Sequence, residues 1–404
     1  MRNCWCGNPR LLPFGPEYGE CNDCGTLVYL GEMQPERLLV RDDDSDFYGK
    51  NYWLERQQDA FGTADIFKRA RTDLAERNLH WLQALLKYRL PPAMVLELGC
   101  SHGSFVGLMQ LTGFDASGME MSPWVVDFGA KTFGVPTRLG PLENADIPPG
   151  SLDVIVSMDV LEHLPDPVTT MARCLELLKP DGLLLLQTPK FSRGTGFAQL
   201  VDSKARFLEM LIPEEHIYLF SEESVSRLFR QLGAEHVSFE PAIFAHYDMF
   251  LAVSRSPLTV NDSDLIETTL NAEPQRRYVQ ALLDLRAREL ASESDRLARG
   301  EQIETLTRMV KESEADRTAR GEQIETLTRM VKESESARIG FGAQIQKLKQ
   351  SLASTEAERN AEHEEVTSMV TDLRALFGHK AFRLLAKIAR WREAKKLENR
   401  IKEQ

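Results

Sequence analysis

No run of the chain approaches the ~20 consecutive apolar residues of a membrane-spanning helix, although 42% of the residues are hydrophobic. A helical membrane protein is therefore not expected. The opening residues MRNCWCGNPR hold no apolar core of the kind a secretory leader carries, so the expected setting is the reducing cytoplasm, without disulfides. Positive charge is not in excess either: 49 Lys and Arg stand against 61 Asp and Glu, a net charge of −12, and duplex nucleic acid is not an expected partner. The pattern G-x-G-x-x-G is absent, which weakens any reading as a dinucleotide-dependent dehydrogenase. The 404 residues exceed one compact core of ~100 to 200, so two or more units are expected.

Cysteine is scarce, six in all, yet Cys4, Cys6, Cys21 and Cys24 crowd into the first 24 residues while Cys100 and Cys174 stand apart. A C-x-C pair, fourteen residues and a C-x-x-C pair, with Gly7 and Gly25 after the pairs, suit two thiolate knuckles around one structural Zn²⁺. A segment this short cannot fold on apolar burial alone, whereas metal ligation supplies roughly 10 kcal/mol or more. Residues 1–32 are thus read as a zinc-binding ribbon. Four free buried thiols are the competing reading; a catalytic zinc is disfavoured, because four thiolates leave no open position.

From Ala93 to about Arg255 short apolar runs alternate with helical stretches, the pattern of a mostly parallel sheet covered by helices. MVLELGC (94–100) reads as a buried strand, S-H-G-S (101–104) as a turn and FVGLMQLTG as a helix. Gly99 and Gly103 allow a tight turn into a helix N-terminus that favours an anionic group, though an ordinary strand-to-helix turn would look the same. A second strand, DASGMEM (115–121), carries Glu120 twenty-three residues beyond Glu97, where a carboxylate can accept from ribose hydroxyls. LDVIVSM (152–158) leads into DVLEHLPDP, LLLLQTP (183–189) follows the turn KPDG, and HVSFEP and YDMFLAVSR complete the sheet.

E-L-G-C-S-H-G, the acid at Glu120, D-V-L-E-H-L-P-D-P and L-K-P-D-G-L-L-L-L-Q-T-P together resemble class I S-adenosylmethionine-dependent methyltransferases over about residues 90–255. The resemblance implies an α/β fold with a Rossmann-like seven-stranded sheet. It implies that Glu97, Gly99, Cys100 and Gly103 line the amino-acid moiety of S-adenosylmethionine and that Glu120 grips the ribose. Met121 would flank the adenine, and Met158 and Asp159 would close the methionine side. Ser101 stands where many members have a middle glycine, and Pro141-Leu142 where an acid is frequent.

The segment IPEEHIYLFSEES (212–224) offers His216 as a base for removing the acceptor's proton, with Glu214 or Glu215 to orient the ring. A histidine capping the helix begun at Ser221 is the plainer alternative. Glu215-His216 and Phe220-Ser221 resemble the E-H-x-x-x-F-S segment of zinc-bearing sugar C-methyltransferases, which also join a cysteine ribbon to such a core. Their tyrosine-rich segment is resembled by D-F-Y-G-K-N-Y-W (46–53), where Tyr48 and Tyr52, four apart on a helix, face the acceptor or merely pack a helical lid. His163, in the L-E-H turn, falls near the cofactor in this fold class. A saccharide acceptor, sugar nucleotide or glycan, is favoured, with O-methylation because nothing points to a keto-sugar. C-methylation, a small aromatic or quinone acceptor, and a non-catalytic scaffold for a glycan-synthesis complex are the alternatives.

Residues 33–90 are read as a helical lid or connector, 91–255 as the core and 256–275 as a polar linker. Beyond it, R-G-E-Q-I-E-T-L-T-R-M-V-K-E-S-E recurs identically 21 residues on, three heptads apart. Ile303, Leu306, Val310, Ile324, Leu327, Val331, Ile345, Leu348 and Leu352 then share one seam, and 276–377 reads as a coiled coil. Ile or Val at a with Leu at d favours a parallel homodimer over a trimer; a single solvated helix is the alternative. The tail, 378–404, is a basic amphipathic stretch of local charge +6, suited to an anionic membrane surface at the inner face or to a glycan-synthesis enzyme.

Overall fold

A computed structural model describes residues 3–32, 40–56, 64–378 and 380–401, so parts of the expected connector (33–39, 57–63) and tail (379, 402–404) lie outside the described residues. The chain divides into two compact units, Met1–Asp295 and Arg296–Gln404. In the first unit a small antiparallel sheet comes first: β1 (Leu11–Phe14), β2 (Tyr18–Cys21) and β3 (Leu27–Tyr29). Helix α1 (Asp73–Tyr88) follows. It opens on acidic Asp73 and Glu76, which suit the positive end of the helix dipole, and buries Asn78, Trp81, Leu82, Leu85 and Leu86 at helical spacing.

The central unit then alternates strand and helix: β4 (Met94–Leu98), α2 (Ser104–Thr112), β5 (Asp115–Glu120), α3 (Pro123–Phe133), β6 (Thr137–Leu139), β7 (Leu152–Met158), α4 (Pro167–Leu177) and β8 (Leu178–Pro189). Next come β9 (Tyr218–Leu219), α5 (Glu222–Gln231), β10 (His236–Glu240) and β11 (Asp248–Ser254). Seven strands form one sheet in the order β10-β11-β8-β7-β4-β5-β6, with β11 antiparallel to β8 and β10 antiparallel to β11. The strands β8, β7, β4, β5 and β6 are parallel, and the order reverses between β4 and β7. Ligands of open α/β sheets bind beyond the carboxyl ends of strands flanking such a reversal. Helices cover both faces, so β7 and β8 read as nearly unbroken Leu, Val and Ile: Val154, Ile155, Val156, Leu184 and Leu185 are fully buried.

The expected α/β class and seven-stranded sheet are therefore present, with local differences. The turn expected at K-P-D-G is instead part of β8, which starts at Leu178 and keeps step with β7 through an irregularity between Leu152 and Val154. Three-residue β6 is too short to register as a hydrophobic run. The segment expected as a polar linker holds helix α6 (Ser263–Asn271), N-capped by Asp262 and buried at Leu270.

The amino-terminal ribbon is not a separate body. Its sheet runs β1-β2-β3-β9, so the fourth strand, Tyr218–Leu219, comes from the middle of the chain; Leu27 pairs with Leu219 and Val28 with Tyr218. Cys4, Trp5, Cys21, Cys24 and Val28 pack into the same core as Leu96, Ile155, Leu186, Ile217 and Phe220.

Helix α7 spans Pro274–Gly378 and α8 spans Lys380–Ile401. The first turns of α7 belong to the first unit, where Val279 and Leu283 are buried beside Leu82 and Leu85, so the apolar positions there serve the core rather than a seam. In the second unit Ile303, Leu306, Val310, Ile324, Leu327, Val331, Ile345, Leu348 and Leu352 are 54–65% exposed, leaving the heptad stripe open along the helix. No described helix is long and apolar enough to cross a membrane.

Candidate active site at the carboxyl ends of the central strands

Strand β4 ends in a turn that only glycine fits. Gly99 has φ +71°, and a Cβ there would lie 2.5 Å from Val160 Cγ2. Its N–H and that of Cys100 both donate to the Met119 carbonyl, fastening the loop to β5. Gly103, at φ +78°, caps α2 and abuts Val135. It shapes the loop whose neighbouring residues Ser101, His102 and Ser104 line the larger cavity. Glu120 closes the loop from the other side: its Oε2 accepts from the Ser101 N–H at 2.9 Å and its Oε1 from the Met121 and Ser122 N–H groups at 2.7 and 3.3 Å. Burial raises the Glu120 carboxyl, and those three donors oppose the shift. Glu97 is buried and raised well above the usual carboxylate range by desolvation and the nearby Glu120 charge; its Oε2 has no hydrogen-bond partner among the described residues.

Two cavities open from this loop. One, about 420 Å³, is lined by Gly99, Met119, Glu120, Met121, Pro141, Leu142, Tyr48 and Tyr52, a mostly apolar slot with a carboxylate at its edge. The other, about 780 Å³, meets Glu97, Gly99, Cys100, Met158 and Asp159 at one end and Glu215, His216, Arg206, Phe244, Tyr247 and Asp248 at the other. Apart from Gly103, each expected cofactor residue thus faces one of the two spaces. The buried Glu97 oxygen fits a cationic amine, the Glu120 carboxylate fits a vicinal pair of hydroxyls, and the apolar slot fits a flat ring. This donor and acceptor set fits S-adenosylmethionine.

Sequence reading missed the contribution of α1. Arg77 bonds Asp159 Oδ2 at 3.1 Å, and Trp81 Nε1 donates at 3.0 Å to Gln187 Oε1, whose own amide donates to Asp159 Oδ1. Asp159, at φ +56°, is held in that left-handed conformation by both partners. Arg77, Asn78 and Trp81 all line the larger cavity. The only signal in the sequence was the amphipathic helix, which explains their face but not its target.

At the far end His163 and His216 meet, with ring centroids 4.9 Å apart. The segment 212–221 is tied to the L-E-H turn by the Ile217 N–H, which donates to the Glu162 carbonyl. His216 does not cap α5: that helix is capped by Ser221, in a reciprocal box with Ser224. The partner of its Nδ1 is the Met210 carbonyl, at 2.7 Å, in place of the expected Glu214 or Glu215 carboxylate. A carbonyl only accepts, so Nδ1 carries the hydrogen and Nε2 keeps a lone pair. Burial and the adjacent His163 push the His216 pKa down to about 3, so the ring is neutral at ordinary pH. Tyr48 lies in a turn, ahead of the helical turn that holds Tyr52, and not on one helix with it. The two rings still meet, 4.9 Å between centroids, and the Tyr48 hydroxyl lies 3.4 Å from His163 Nδ1.

The four clustered cysteines converge as expected. Cys4 and Cys24 Sγ are 3.5 Å apart, Cys6 and Cys21 Sγ 3.6 Å, and all four sulfurs lie within 4.8 Å of one another. Tetrahedral thiolates ~2.3 Å from a zinc ion would be separated by roughly 3.8 Å, so the donor set fits Zn²⁺ with little movement. The ribbon reaches the larger cavity through Tyr18, whose hydroxyl donates to the His216 carbonyl at 3.0 Å.

A family model described as "Methyltransferase domain" matches residues 69–238. A "Ubiquinone biosynthesis O-methyltransferase" of Xanthomonas campestris pv. campestris is 31% identical over 131 residues, 31% of this chain and 54% of the relative. A protein of the same name from Burkholderia pseudomallei is 24% identical over 177 residues, 42% of this chain and 75% of the relative. The chain thus spans only about half the length of the first of these curated relatives. Among solved structures, Haemonchus contortus phosphoethanolamine N-methyltransferase 2 in complex with S-adenosyl-L-methionine is 15% identical, with a TM-score of 0.36 over 45% of this chain and 52% of that one. Residues 69–238 are thus similar to a methyltransferase domain, and they hold most of the seven-stranded sheet.

Proposed function

We propose that the whole chain transfers a methyl group from S-adenosylmethionine to a hydroxyl oxygen of a small molecule. The observation that carries this reading is the single larger cavity shared by the cofactor loop and His216. When bound, S-adenosylmethionine supplies an electrophilic methyl on a sulfonium. Glu97, the Gly99 turn and Glu120 hold that donor, and Arg77 and Gln187 keep Asp159 turned toward it. His216 presents its Nε2 lone pair to the acceptor's hydroxyl, and the aromatic residues Phe244 and Tyr247 with Arg206 line the space the rest of the acceptor fills. Proximity and proton removal are what an in-line displacement requires of a protein.

The names of the curated relatives favour a ring hydroxyl over the saccharide first expected. A saccharide remains the second reading, supported by the alternation of Arg69, Asn78, Arg206 and Glu209 with aromatic rings around the cavity, which suits hydroxyl and C–H faces. Incubation with methyl-labelled cofactor and either phenolic or sugar-nucleotide acceptors separates the two. His216→Gln is expected to cut kcat by about 10² or more while S-adenosylhomocysteine binds as in wild type. Unchanged turnover would take His216 out of the reaction, and cofactor binding without any methylated product would leave the chain a scaffold.

The exposed heptad stripe supports pairing of two copies. Its 21-residue identical repeat keeps the 3.5-residue period that a supercoiled partner demands, and Ile and Val at a with Leu at d suit a parallel dimer. The full chain is expected to sediment at twice its 45.8 kDa mass. Sedimentation at the single-chain mass over micromolar concentrations refutes the pairing.

A further inference from the structure

Glu162, His163 and His216 bring one carboxylate oxygen and two imidazole nitrogens within 4.8 Å of one another, in the wall of the larger cavity. Each is gripped from behind. The Thr188 hydroxyl donates to Glu162 Oε2 at 2.9 Å, leaving Oε1 facing His163 Nε2 at 3.9 Å. His163 Nδ1 donates to the Glu215 carbonyl at 2.8 Å, as His216 Nδ1 does to the Met210 carbonyl. Both rings therefore carry their hydrogen on Nδ1 and keep a bare Nε2, which in His163 faces Glu162. Outer partners of this kind, a carbonyl behind each imidazole and a hydroxyl behind the carboxylate, are what fix the tautomer and aim of metal-bound side chains.

The inward face thus brings three ligand atoms together, an arrangement that a cation in their midst stabilises. A divalent cation serves well. At bonds of ~2.1 Å, neighbouring ligand atoms stand roughly 3.0 to 3.4 Å apart, so atoms as far apart as 4.8 Å need to close by roughly 1.4 to 1.8 Å. Two imidazoles and one carboxylate are also the set that leaves coordination positions open for catalysis, unlike the four thiolates of the ribbon.

We propose that Glu162, His163 and His216 bind one divalent cation of the class that accepts nitrogen and carboxylate ligands together, such as Mn²⁺, Co²⁺ or Zn²⁺, and that the acceptor's hydroxyl oxygen takes an open position on it. The second half rests on the O-methyl transfer reading. On the cation the hydroxyl is acidified and gives its proton to water in the cavity. The oxygen then forms its bond to the methyl carbon as the carbon–sulfur bond breaks, with that electron pair going to sulfur. His216 acts here as a ligand rather than as the proton acceptor.

The test uses the full chain with its ribbon thiolates loaded with zinc. Mn²⁺ is titrated in, and the free aqua ion is followed by electron paramagnetic resonance. One Mn²⁺ per chain is expected, bound at least tenfold more weakly by Glu162→Gln and His163→Gln, while S-adenosylhomocysteine affinity, which reports an intact fold, changes by less than threefold. Methyl transfer is expected to fall at least tenfold on treatment with a chelator that leaves the ribbon zinc in place, and to return with Mn²⁺. Absence of stoichiometric Mn²⁺ or Co²⁺ binding, or binding equal to wild type in both variants, overturns the site. Chelator-insensitive transfer that still requires His216 overturns the cation's role and returns the histidine to proton removal. Mn²⁺ bound as expected with no methylated product supports the site and counts instead against the O-methyl reading.

Discussion

Replacing Glu120 by Ala is expected to weaken S-adenosylmethionine binding by a hundredfold or more, the loss of about 2.7 kcal/mol. Two causes add. The carboxylate is the acceptor at the edge of the apolar slot where the ribose would lie, and charge-assisted hydrogen bonds to it are worth roughly 1.5 to 3 kcal/mol. It is also the acceptor for three backbone N–H groups, of Ser101, Met121 and Ser122, which Ala would leave without their partner in the empty protein. Glu120→Gln keeps the size and one carbonyl oxygen, so a smaller loss, on the order of tenfold, separates the electrostatic part from the structural part. Calorimetric titration of the cofactor, with a melting curve for each variant, reads both. An Ala variant that binds as wild type does would remove Glu120 from the cofactor site.

The fold was legible where burial imposes a simple pattern. Strands β4, β7 and β11 lie inside a sheet covered on both faces, so Val95–Leu98, Val154–Met158 and Met249–Val253 read as apolar runs. Strand β6 is a three-residue edge strand with two exposed positions, and nothing in T-R-L distinguishes it from a loop. The pairing of β3 with β9 was invisible for another reason. Its partners are some 190 residues apart, and long-range register leaves no trace in a single sequence. The cysteine spacing therefore suggested a ribbon on its own, whereas the ribbon borrows its last strand from the segment beside His216.

Which residues line the cavities was legible in part, but their wiring was not. Glu97, Gly99, Cys100, Glu120, Met121, Met158 and Asp159 face a cavity because strand-end motifs fix their place in the sheet, and Glu215 and His216 face one from the segment ahead of β9. Which atom holds which ring is a matter of backbone carbonyls, and these carry no side-chain signature. The Met210 and Glu215 carbonyls that set the two histidine tautomers could be assigned only from the fold. Arg77 and Trp81 were hidden in the same way, since an amphipathic helix buries Trp for packing far more often than to position a neighbour's carboxylate.

We propose that the four ribbon thiolates hold one zinc ion, and that wiring then makes it a determinant of catalysis. Cys24→Ser is expected to lower zinc content from one per chain to well below that and to destabilise the first unit by several kcal/mol, since structural zinc contributes roughly 10 kcal/mol or more to such segments. Turnover should fall with it, by about 10² or more, along a chain of contacts that starts at the sulfurs. Trp5, between Cys4 and Cys6, donates to Thr26 at 2.9 Å and packs its ring 6.0 Å from that of Phe220. Strand β3 pairs with β9, and Tyr18 holds the His216 carbonyl. The cofactor loop is braced separately, by Met119 and Glu120, so S-adenosylhomocysteine affinity should drop far less than kcat wherever the variant stays folded. Should Cys24→Ser fail to fold, Tyr18→Phe tests the same link with zinc in place. It removes one buried hydrogen bond and leaves the His216 carbonyl unpaired at a cost of about 1 to 3 kcal/mol, and kcat is expected to fall three- to tenfold at constant cofactor affinity. Zinc analysis, melting curves and steady-state kinetics on the two variants decide the matter: turnover that survives both zinc loss and Tyr18→Phe would show that the ribbon serves stability alone.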